Sequence, residues 1–231
     1  MPEGLPPICI LAGGSGTRLG SKVRDTPKPL LEVAGEPFLH HQLRLLARYG
    51  AREVVLCVGY LGEQIEQRIG PERFGLRIAY SHDGARPLGT LGAVRQAAPQ
   101  LGSRFLVLYG DTYLRIDYAA AARAWELSGR PALMTVLRNE GRWDVSNVSF
   151  DGELVTAYDK REPTPSMEWI DYGLGGLDAA ALQAGEEMSD LSDLYHELAR
   201  RRKLFGFAAS ERFYEIGTPA ALAETSAFLS R

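Results

Sequence analysis

Residues 8–29 read ICILAGGSGTRLGSKVRDTPKP, and this stretch decides the fold of the chain. Its first five residues are apolar and rich in branched side chains, and the glycine pair Gly13 and Gly14 follows at once. A short apolar run that ends in such a pair is typical of a buried parallel strand followed by a tight loop. The stretch therefore predicts that a first buried strand, over residues 8–12, leads directly into a glycine-rich loop.

A buried strand followed by a helix recurs along the first half of the chain. Short and nearly continuous apolar runs predict further strands at residues 53–58, 76–80 and 104–109. Apolar residues at helical spacing predict helices at residues 38–49, 61–69 and 92–98. Strands that alternate with helices in this way predict a parallel sheet that carries helices on both faces.

The second half of the chain predicts a more mixed set of elements. The predicted strands are residues 132–138, 145–150, 154–158 and 204–208, and the predicted helices are residues 190–202 and 219–229. Neither an internal repeat nor a linker-like stretch separates the two halves. We therefore expect a single α/β domain.

The composition is that of an ordinary globular domain, with 45% hydrophobic and 24% charged residues among 231. The net charge of -3 predicts no general affinity for nucleic acid or an anionic membrane, so phosphate binding must come from local lysines and arginines. Cys9 and Cys57 lie in apolar runs and predict buried free thiols, which fit a reducing compartment. Neither a signal peptide nor a membrane-spanning apolar run is visible, so we expect a soluble, cytoplasmic protein.

The loop after the first predicted strand has the composition of a phosphate-binding loop. Gly13, Gly14 and Gly16 allow the backbone to approach a ligand closely and to turn its N–H groups toward it, and Arg18 adds a guanidinium. The loop does not match the dinucleotide fingerprint, which requires the spacing G-x-G-x-x-G. It does not match the P-loop either, because Gly16 is followed by Thr17 and Arg18, whereas the P-loop has Lys and then Ser or Thr after this glycine. A plain turn between a strand and a helix is the alternative.

A lysine held between two prolines follows the glycine loop. Pro27 and Pro29 fix their own φ angles and restrict the residues before them, so Lys28 lies on a stiff, extended backbone. An ammonium group held in this way is more useful in a binding site than on a surface. The loops at Gly13 and at Asp111 both follow predicted parallel strands, whose carboxyl ends are where α/β sheets bind ligands, and we expect them to face one cleft.

These motifs resemble the signature of the sugar-phosphate nucleotidylyltransferases, GGxGTRL followed by TPKP. The resemblance extends to residues 87–90 (PLGT), 109–111 (YGD) and 214–219 (YEIGTP), in the family's order and over nearly the whole chain. It implies a Rossmann-like three-layer sandwich with a mostly parallel mixed sheet. It also implies one nucleotidyltransferase domain over residues 1–231, in which about 1–115 bind the nucleotide and about 116–231 bind the sugar phosphate.

The resemblance assigns a nucleotide-binding role to residues of two loops. They are Leu11, Ala12, Gly13 and Gly14 at the nucleoside, Gly16, Thr17 and Arg18 at the phosphates, and Gly89 and Thr90 near the base and ribose. Leu91 stands where many relatives have a glycine, and we expect it to change how this second loop approaches the nucleotide.

Catalytic and metal-binding roles follow from the same resemblance. Arg18, Lys28 and Asp111 correspond to the catalytic residues, and Asp111 corresponds to an aspartate that binds Mg²⁺. Glu215 stands where the second metal ligand is usually an aspartate, and it keeps the carboxylate on a side chain longer by one methylene. An N-cap of a helix is the alternative role for an aspartate that follows a strand.

The acceptor-binding residues are expected in the second half of the chain. Lys160 resembles the lysine that binds the sugar phosphate, although a surface lysine at the end of a strand is the alternative. Asp171 and Gly173 fall where relatives often have Asn-Ala-Gly, so the glycine is expected against the sugar and Asp171 is expected to accept hydrogen bonds from its hydroxyls. Glu168 and Trp169 lie near enough in sequence to line the same pocket.

The reaction that the resemblance implies is attack by a sugar 1-phosphate on the α-phosphorus of an NTP, which gives an NDP-sugar and pyrophosphate. The motifs look most like the D-glycero-D-manno-heptose 1-phosphate guanylyltransferase branch. Uridylyl or cytidylyl transfer to a hexose 1-phosphate, a muramic acid 1-phosphate or a phosphocholine-like acceptor stays open. A non-catalytic regulatory homologue is the alternative from another class, and a homodimer is a further open expectation.

Overall fold

The computed structural model describes residues 4–14, 16, 19 and 25–231. Its helices are α1 (Phe38–Arg48), α2 (Gly62–Ile69), α3 (Gly89–Leu101), α4 (Tyr118–Ser128), α5 (Leu191–Arg200) and α6 (Pro219–Leu229). The strands of the first half are β1 (Ile8–Leu11), β2 (Glu32–Val33), β3 (Glu36–Pro37), β4 (Glu53–Val58), β5 (Glu72–Arg73), β6 (Leu76–His82) and β7 (Arg104–Tyr109). Those of the second half are β8 (Thr112–Leu114), β9 (Ala132–Arg138), β10 (Val148–Phe150), β11 (Val155–Tyr158), β12 (Trp169–Asp178), β13 (Leu204–Ala209) and β14 (Phe213–Glu215).

Ten of these strands form one mixed sheet in the order β11-β10-β12-β7-β1-β4-β6-β5, with β9 pairing to β12 and β13 pairing to β9. At its centre β1 lies parallel to both β4 and β7, and β4 lies parallel to β6. β12 runs antiparallel to β7 and to β9, and β9 and β13 are parallel. The expected α/β fold with a mixed, largely parallel sheet is confirmed.

Helices cover both faces of the sheet, because the side chains of the central strands alternate between two cores. Ile8 and Ile10 of β1 pack in the core that includes the buried faces of α1, α2 and α4. Cys9, between them, packs in the opposite core with the buried faces of α3 and α5. This alternation follows from the two-residue period of a strand, and it produces the three layers. Cys9 and Cys57 are buried free thiols, as predicted.

The longest strand of the sheet, β12, was not predicted. Its sequence, WIDYGLGGLD, is interrupted by glycines, which lack the side chains that mark a strand. The structure explains one of them, because a methyl group at Gly176 would lie 2.7 Å from Trp125 Cζ3. α4 was also not predicted, although Asp117 at its N-cap accepts a 2.8 Å hydrogen bond from Ala120 N.

The carboxyl ends of β7, β1, β4 and β6 lie side by side and bring their loops together. Gly110, directly after β7, donates a 2.9 Å hydrogen bond from its N–H to Leu11 O. A methyl group at Gly110 would lie 2.8 Å from that oxygen and 3.1 Å from Ala12 Cα. Only glycine allows the two backbones to come this close. Among the residues described, every helix falls short of the length and apolar character that a membrane-spanning helix needs.

We expect Gly110→Ala to lower the free energy of unfolding by about 1–3 kcal/mol, because the added methyl group meets backbone atoms that have little room to move. Urea denaturation followed by circular dichroism measures this change. Gly14→Ala is the matched control, since a methyl group there would have no atom within 4 Å in the part of the chain that the structure describes. Equal stability of the two variants would contradict the close-packing argument.

Candidate active site

A cleft of about 360 Å³ lies at the carboxyl ends of the central strands. Predicted nucleotide-binding and catalytic residues among those that line it are Leu11, Ala12, Gly13, Gly14, Gly16, Lys28, Gly89, Thr90 and Asp111. The two loops expected to face one cleft, at Gly13 and at Asp111, therefore do so. Thr17 and Arg18 lie outside the described residues, so their roles stay predictions.

The first loop forms part of the cleft floor with backbone alone. A methyl group at Gly13 would lie 3.1 Å from Gly59 N, so the loops after β1 and β4 pack against each other without side chains between them. A methyl group at Gly14, which also lines the cleft, would meet no atom of the described residues within 4 Å. The backbone of the first loop can therefore approach a ligand directly.

Lys28 and Asp111 form an ion pair at one end of the cleft. Lys28 begins a short 3₁₀ turn over Lys28–Leu30, with Pro27 as its N-cap and Pro29 buried beneath it. Its Nζ lies 2.5 Å from Asp111 Oδ2, and the lysine side chain is 11% exposed. The prolines and this short contact hold the ammonium group in one place, but the prediction of an extended backbone at Lys28 is wrong, because Lys28 begins a 3₁₀ turn.

Glu215 reaches the same end of the cleft from β14. This strand pairs antiparallel with β8, and Ile216 N donates a 3.0 Å hydrogen bond to Asp111 O. The position that a Cβ would take at Gly217 is 3.2 Å from Glu215 Oε2 and 3.6 Å from Lys28 Nζ. Glu215 Oε2 and Lys28 Nζ therefore both lie beside Gly217, and Asp111 pairs with Lys28.

This donor set fits a magnesium ion that a nucleotide brings with it. Among the residues described, no group of three or more His, Cys, Asp and Glu side chains could hold a metal by itself. Mg²⁺ is commonly held by one or two carboxylates together with waters and substrate phosphates. Asp111 and Glu215 are the two residues that would hold it beside Gly217.

The second loop is anchored to the start of α5. Thr90 Oγ1 donates to Asp190 Oδ1 at 3.0 Å and accepts from Leu191 N at 2.7 Å. Thr90 therefore lines the cleft while its hydroxyl holds the loop in place. Leu91 is buried in the core with α5, so the expectation that it changes how the loop approaches the nucleotide is wrong for its side chain.

The predicted acceptor residues are linked around one buried carboxylate. Asp171 is 7% exposed, and its Oδ2 lies 3.3 Å from Lys160 Nζ. The same oxygen accepts a 3.2 Å hydrogen bond from Tyr158 Oη, and Oδ1 accepts one of 3.0 Å from Gly173 N. Both carboxylate oxygens thus have partners within the protein. This geometry favours Asp171 as the residue that positions Lys160, in place of a direct acceptor for sugar hydroxyls.

Tyr109 connects the acceptor residues to the cleft and was not predicted as a site residue. Its ring lines the cleft, and Lys160 Nζ lies 5.6 Å from the ring centroid. Burial, together with the charges of Asp171, Asp190 and Asp111, raises the pKa of the Tyr109 hydroxyl well above its usual value, so this hydroxyl stays neutral. The sequence signal that could have identified Tyr109 was its position at the end of a predicted strand.

Asp83 is a second cleft residue that sequence reasoning missed. It follows β6, which ends at His82, two residues beyond the predicted end of that strand. A methyl group added at Gly59 would lie 2.9 Å from Asp83 Oδ2, and one added at Gly13 would lie 3.4 Å from the same oxygen. Burial raises the pKa of the Asp83 carboxyl, and the hydrogen bond from the Leu88 N–H opposes that rise only in part.

Comparison with known proteins decides the family. The family model of the MobA-like NTP transferase domain matches residues 8–206 of the chain. The chain belongs to this family. The resemblance to sugar-phosphate nucleotidylyltransferases is thereby confirmed. Curated proteins and solved structures also include relatives that are similar to this NTP transferase domain.

Two curated relatives represent the sugar-phosphate branch of the family. N-acetylmuramate alpha-1-phosphate uridylyltransferase of Neisseria meningitidis is 44% identical over 114 residues, which cover 48% of this chain and 49% of that relative. D-glycero-alpha-D-manno-heptose 1-phosphate guanylyltransferase of Aneurinibacillus thermoaerophilus is 29% identical over 91% of this chain and 92% of its own length. This chain thus spans about half the length of the first relative and nearly the whole length of the second.

Solved structures share the fold of this NTP transferase domain. HddC from Yersinia pseudotuberculosis superposes with a TM-score of 0.80 and is 24% identical, over 97% of this chain and all of its own. At this level of identity the likeness shows the fold alone.

We expect Asp83→Asn to raise the free energy of unfolding at pH 7. A carboxyl group whose pKa is raised by folding binds its proton more tightly in the native state, so its contribution to stability is lost as the pH rises through that pKa. Asparagine removes the cost of the partly buried charge and keeps an oxygen for the Leu88 N–H. Urea denaturation at several pH values should show the gain shrink below the folded-state pKa.

Asp159→Asn is the control of opposite sign for this measurement. Backbone N–H groups of Glu162 and Arg161 lower the pKa of Asp159, so its charge stabilises the native state at neutral pH and loses that effect on acidification. This variant should be less stable than the parent at pH 7, and the deficit should close as the pH falls through the lowered pKa. A loss of stability for Asp83→Asn at pH 7 would refute the account of Asp83.

Proposed function

We propose that this NTP transferase domain transfers a nucleotidyl group from an NTP to a sugar 1-phosphate and releases pyrophosphate. The observation that carries the proposal is that the predicted catalytic and acceptor lysines each pair with a carboxylate, one in the cleft and one beside Tyr109, a residue that also lines the cleft. The Lys28–Asp111 pair lies in the glycine-lined cleft itself, and the Lys160–Asp171 pair lies across the ring of Tyr109. One cation in the cleft and another beside a residue that lines it suit two phosphorylated substrates that must meet.

The proposed chemistry depends on positioning and charge and needs no general base. The attacking phosphate oxygen of a sugar 1-phosphate is already ionised at neutral pH. Lys160 would hold the acceptor phosphate, while Lys28, together with Arg18, would balance the charge on the leaving pyrophosphate. Mg²⁺ held by Asp111 and Glu215 would supply further charge neutralisation at the nucleotide phosphates when it is bound.

The geometry around Lys160 favours a sugar phosphate over a phosphocholine-like acceptor. A quaternary ammonium group is bound by aromatic faces. Here the ammonium group of Lys160 already lies over two such faces, 5.6 Å from the centroid of Tyr109 and 5.8 Å from that of Tyr158. A second cation at this position would be repelled. The two curated relatives, which are named for sugar 1-phosphate substrates, support the same choice.

The regulatory alternative receives no support from the site. A non-catalytic homologue would have no need to keep Lys28, Asp111 and Glu215 together, yet these three residues converge beside Gly217. Arg18 is also kept in the sequence.

The remaining proposals concern organisation. We propose one domain over residues 1–231, because the second part of β12, from Leu174 to Asp178, pairs with β7 of the first half and makes the sheet continuous. In that domain about 1–115 would bind the nucleotide and about 116–231 the acceptor. A cytoplasmic location and a homodimer are proposals that rest on the sequence, and light scattering after size-exclusion chromatography tests the second.

We expect Asp111→Ala to lower pyrophosphate release by about 10³-fold, since the variant removes both a metal ligand and the partner of Lys28. The assay supplies Mg²⁺, the common NTPs and a panel of sugar 1-phosphates. Asp151→Ala, at an exposed turn, is the matched control and should keep full activity. Undiminished release by a folded Asp111→Ala protein would overturn the proposed role of Asp111.

We expect Lys160→Met to raise the KM for the acceptor by about 10- to 100-fold and to leave the KM for the NTP unchanged. The reason is that a charge-assisted hydrogen bond to one substrate alone is lost. Arg161→Met removes the neighbouring cation, which pairs with Asp193, and should change neither value. An equal rise of both KM values in Lys160→Met would count against a specific acceptor role.

A further inference from the structure

Gln42 is a buried polar residue in the middle of α1, and the chemistry proposed above does not use it. It is 1% exposed, and it lies on the helix face that carries the core residues Leu39, Leu43 and Leu46. Glutamine is mostly found on protein surfaces, so an apolar side chain is expected at such a position. A glutamine buried here is explained by hydrogen bonds that an apolar residue could not form.

The side-chain amide of Gln42 donates to two backbone carbonyl groups, one on each side of Asp111. Gln42 Nε2 lies 2.8 Å from Tyr109 O and 2.6 Å from Thr112 O. Because both oxygens converge on one nitrogen atom, the turn that contains Gly110 and Asp111 is tied to α1 at its two ends. Thr112 Oγ1 donates to Tyr109 O at 3.2 Å and closes the same turn from within.

Neighbouring strands supply the other backbone anchors of this turn. Gly110 N donates to Leu11 O at 2.9 Å, and Asp111 O accepts from Ile216 N at 3.0 Å. The first bond ties the turn to β1, and the second ties it to the end of β14, the strand that carries Glu215. The helix α1 adds an anchor from the helical layer, so the position of the turn depends on three different elements.

The second polar atom of the Gln42 amide indicates that stability alone does not explain this residue. Gln42 Oε1 is buried and forms no hydrogen bond with the residues that the structure describes. A buried polar atom without a partner lowers stability. Local costs of this kind are typical of residues that serve a functional site. Here the cost accompanies two short hydrogen bonds to the turn that carries Asp111.

We propose that Gln42 is a positioning residue, which fixes the backbone around Asp111 and thereby sets where the Asp111 carboxylate lies relative to Lys28 and a bound metal ion. This inference rests on the proposed function. Asp111 Oδ2 lies 2.5 Å from Lys28 Nζ, so a small displacement of the Asp111 backbone changes this contact. A misplacement of about 1 Å can lower the rate of a positioned reaction by about 100-fold.

The acceptor site is held independently of Gln42. Lys160 pairs with Asp171, whose carboxylate is fixed by Tyr158 and by the backbone of Gly173. Loss of the Gln42 amide should therefore affect the chemical step and the metal ion, and leave binding of the sugar 1-phosphate unchanged.

The test compares the parent protein with Gln42→Met, which keeps the length of the side chain and removes the amide donor. Pyrophosphate release is assayed with Mg²⁺, the common NTPs and a panel of sugar 1-phosphates. We expect kcat to fall about 10- to 100-fold, while the KM for the sugar 1-phosphate stays unchanged. If Gln42→Met does not fold, Gln42→Glu serves for the same measurements, because it keeps the shape of the side chain and has at most one donor hydrogen.

A second measurement does not depend on turnover. Mn²⁺ takes the place of Mg²⁺ as a paramagnetic probe, and its binding in the presence of inorganic pyrophosphate is followed by electron paramagnetic resonance. We expect Gln42→Met to weaken Mn²⁺ binding about 10-fold, since residues that hold a metal ligand in place commonly have an effect of this size. A purely structural role would change stability and leave the Mn²⁺ affinity as it is.

Tyr118→Phe is the matched control for Gln42→Met. Tyr118 is also buried, and its hydroxyl donates a 3.2 Å hydrogen bond to Leu114 O, at the end of β8 that is far from Asp111. This variant also removes a buried hydrogen bond from a side chain to the backbone, but it leaves the Asp111 turn intact. It should keep the kcat and the Mn²⁺ affinity of the parent.

Two results would overturn the inference. One is a folded Gln42→Met protein with the kcat and the Mn²⁺ affinity of the parent. The other is a raised KM for the sugar 1-phosphate with an unchanged Mn²⁺ affinity, which would place the effect at the acceptor site. Failure of the proposed function has a different outcome, namely a parent protein that releases no pyrophosphate although its Mn²⁺ binding is still weakened by Gln42→Met.

Discussion

The close approach of four strand ends is the constraint on which this active site depends. Gly110 N donates to Leu11 O at 2.9 Å, and Ala12 N donates to Cys57 O at 2.8 Å, so hydrogen bonding between neighbouring strands continues into the loops. The loops at Gly13 and Gly59 approach each other through their backbones, and the Asp83 carboxylate lies beside both glycines. The result is a cleft whose floor is largely backbone, and the charged groups are held at its edges.

The charged groups form balanced pairs before any substrate arrives. Lys28 lies against Asp111, and Lys160 lies against the buried Asp171. A buried carboxylate needs partners because it has lost its water, and Asp171 has three of them. The strand β12 carries Asp171 and pairs with β7, the strand that leads to Asp111. Lys160 and the Lys28–Asp111 pair are therefore linked through one sheet, which is what the proposed in-line reaction between two phosphates requires.

The success of sequence reasoning varied with the kind of signal. The strands at residues 53–58 and 104–109 were predicted to the residue, because each is a continuous apolar run buried on both faces. The strand β12 was missed because its glycines make room for neighbouring rings instead of contributing side chains. Asp83 was missed because its strand was predicted two residues too short, which hid its position at a strand end.

By itself, the sequence predicted the parallel strands β1, β4, β6 and β7 with the helices between them, the glycine loop, a restrained Lys28 and the family. These features depend on the order of neighbouring residues, which local propensity and recognisable motifs report. Only the tertiary structure decided which residues meet. Lys28 and Asp111 are 83 residues apart, and Thr90 and Asp190 are 100 apart. The physical reason is that such contacts depend on the order of the strands in the sheet, and the packing of the whole core sets that order.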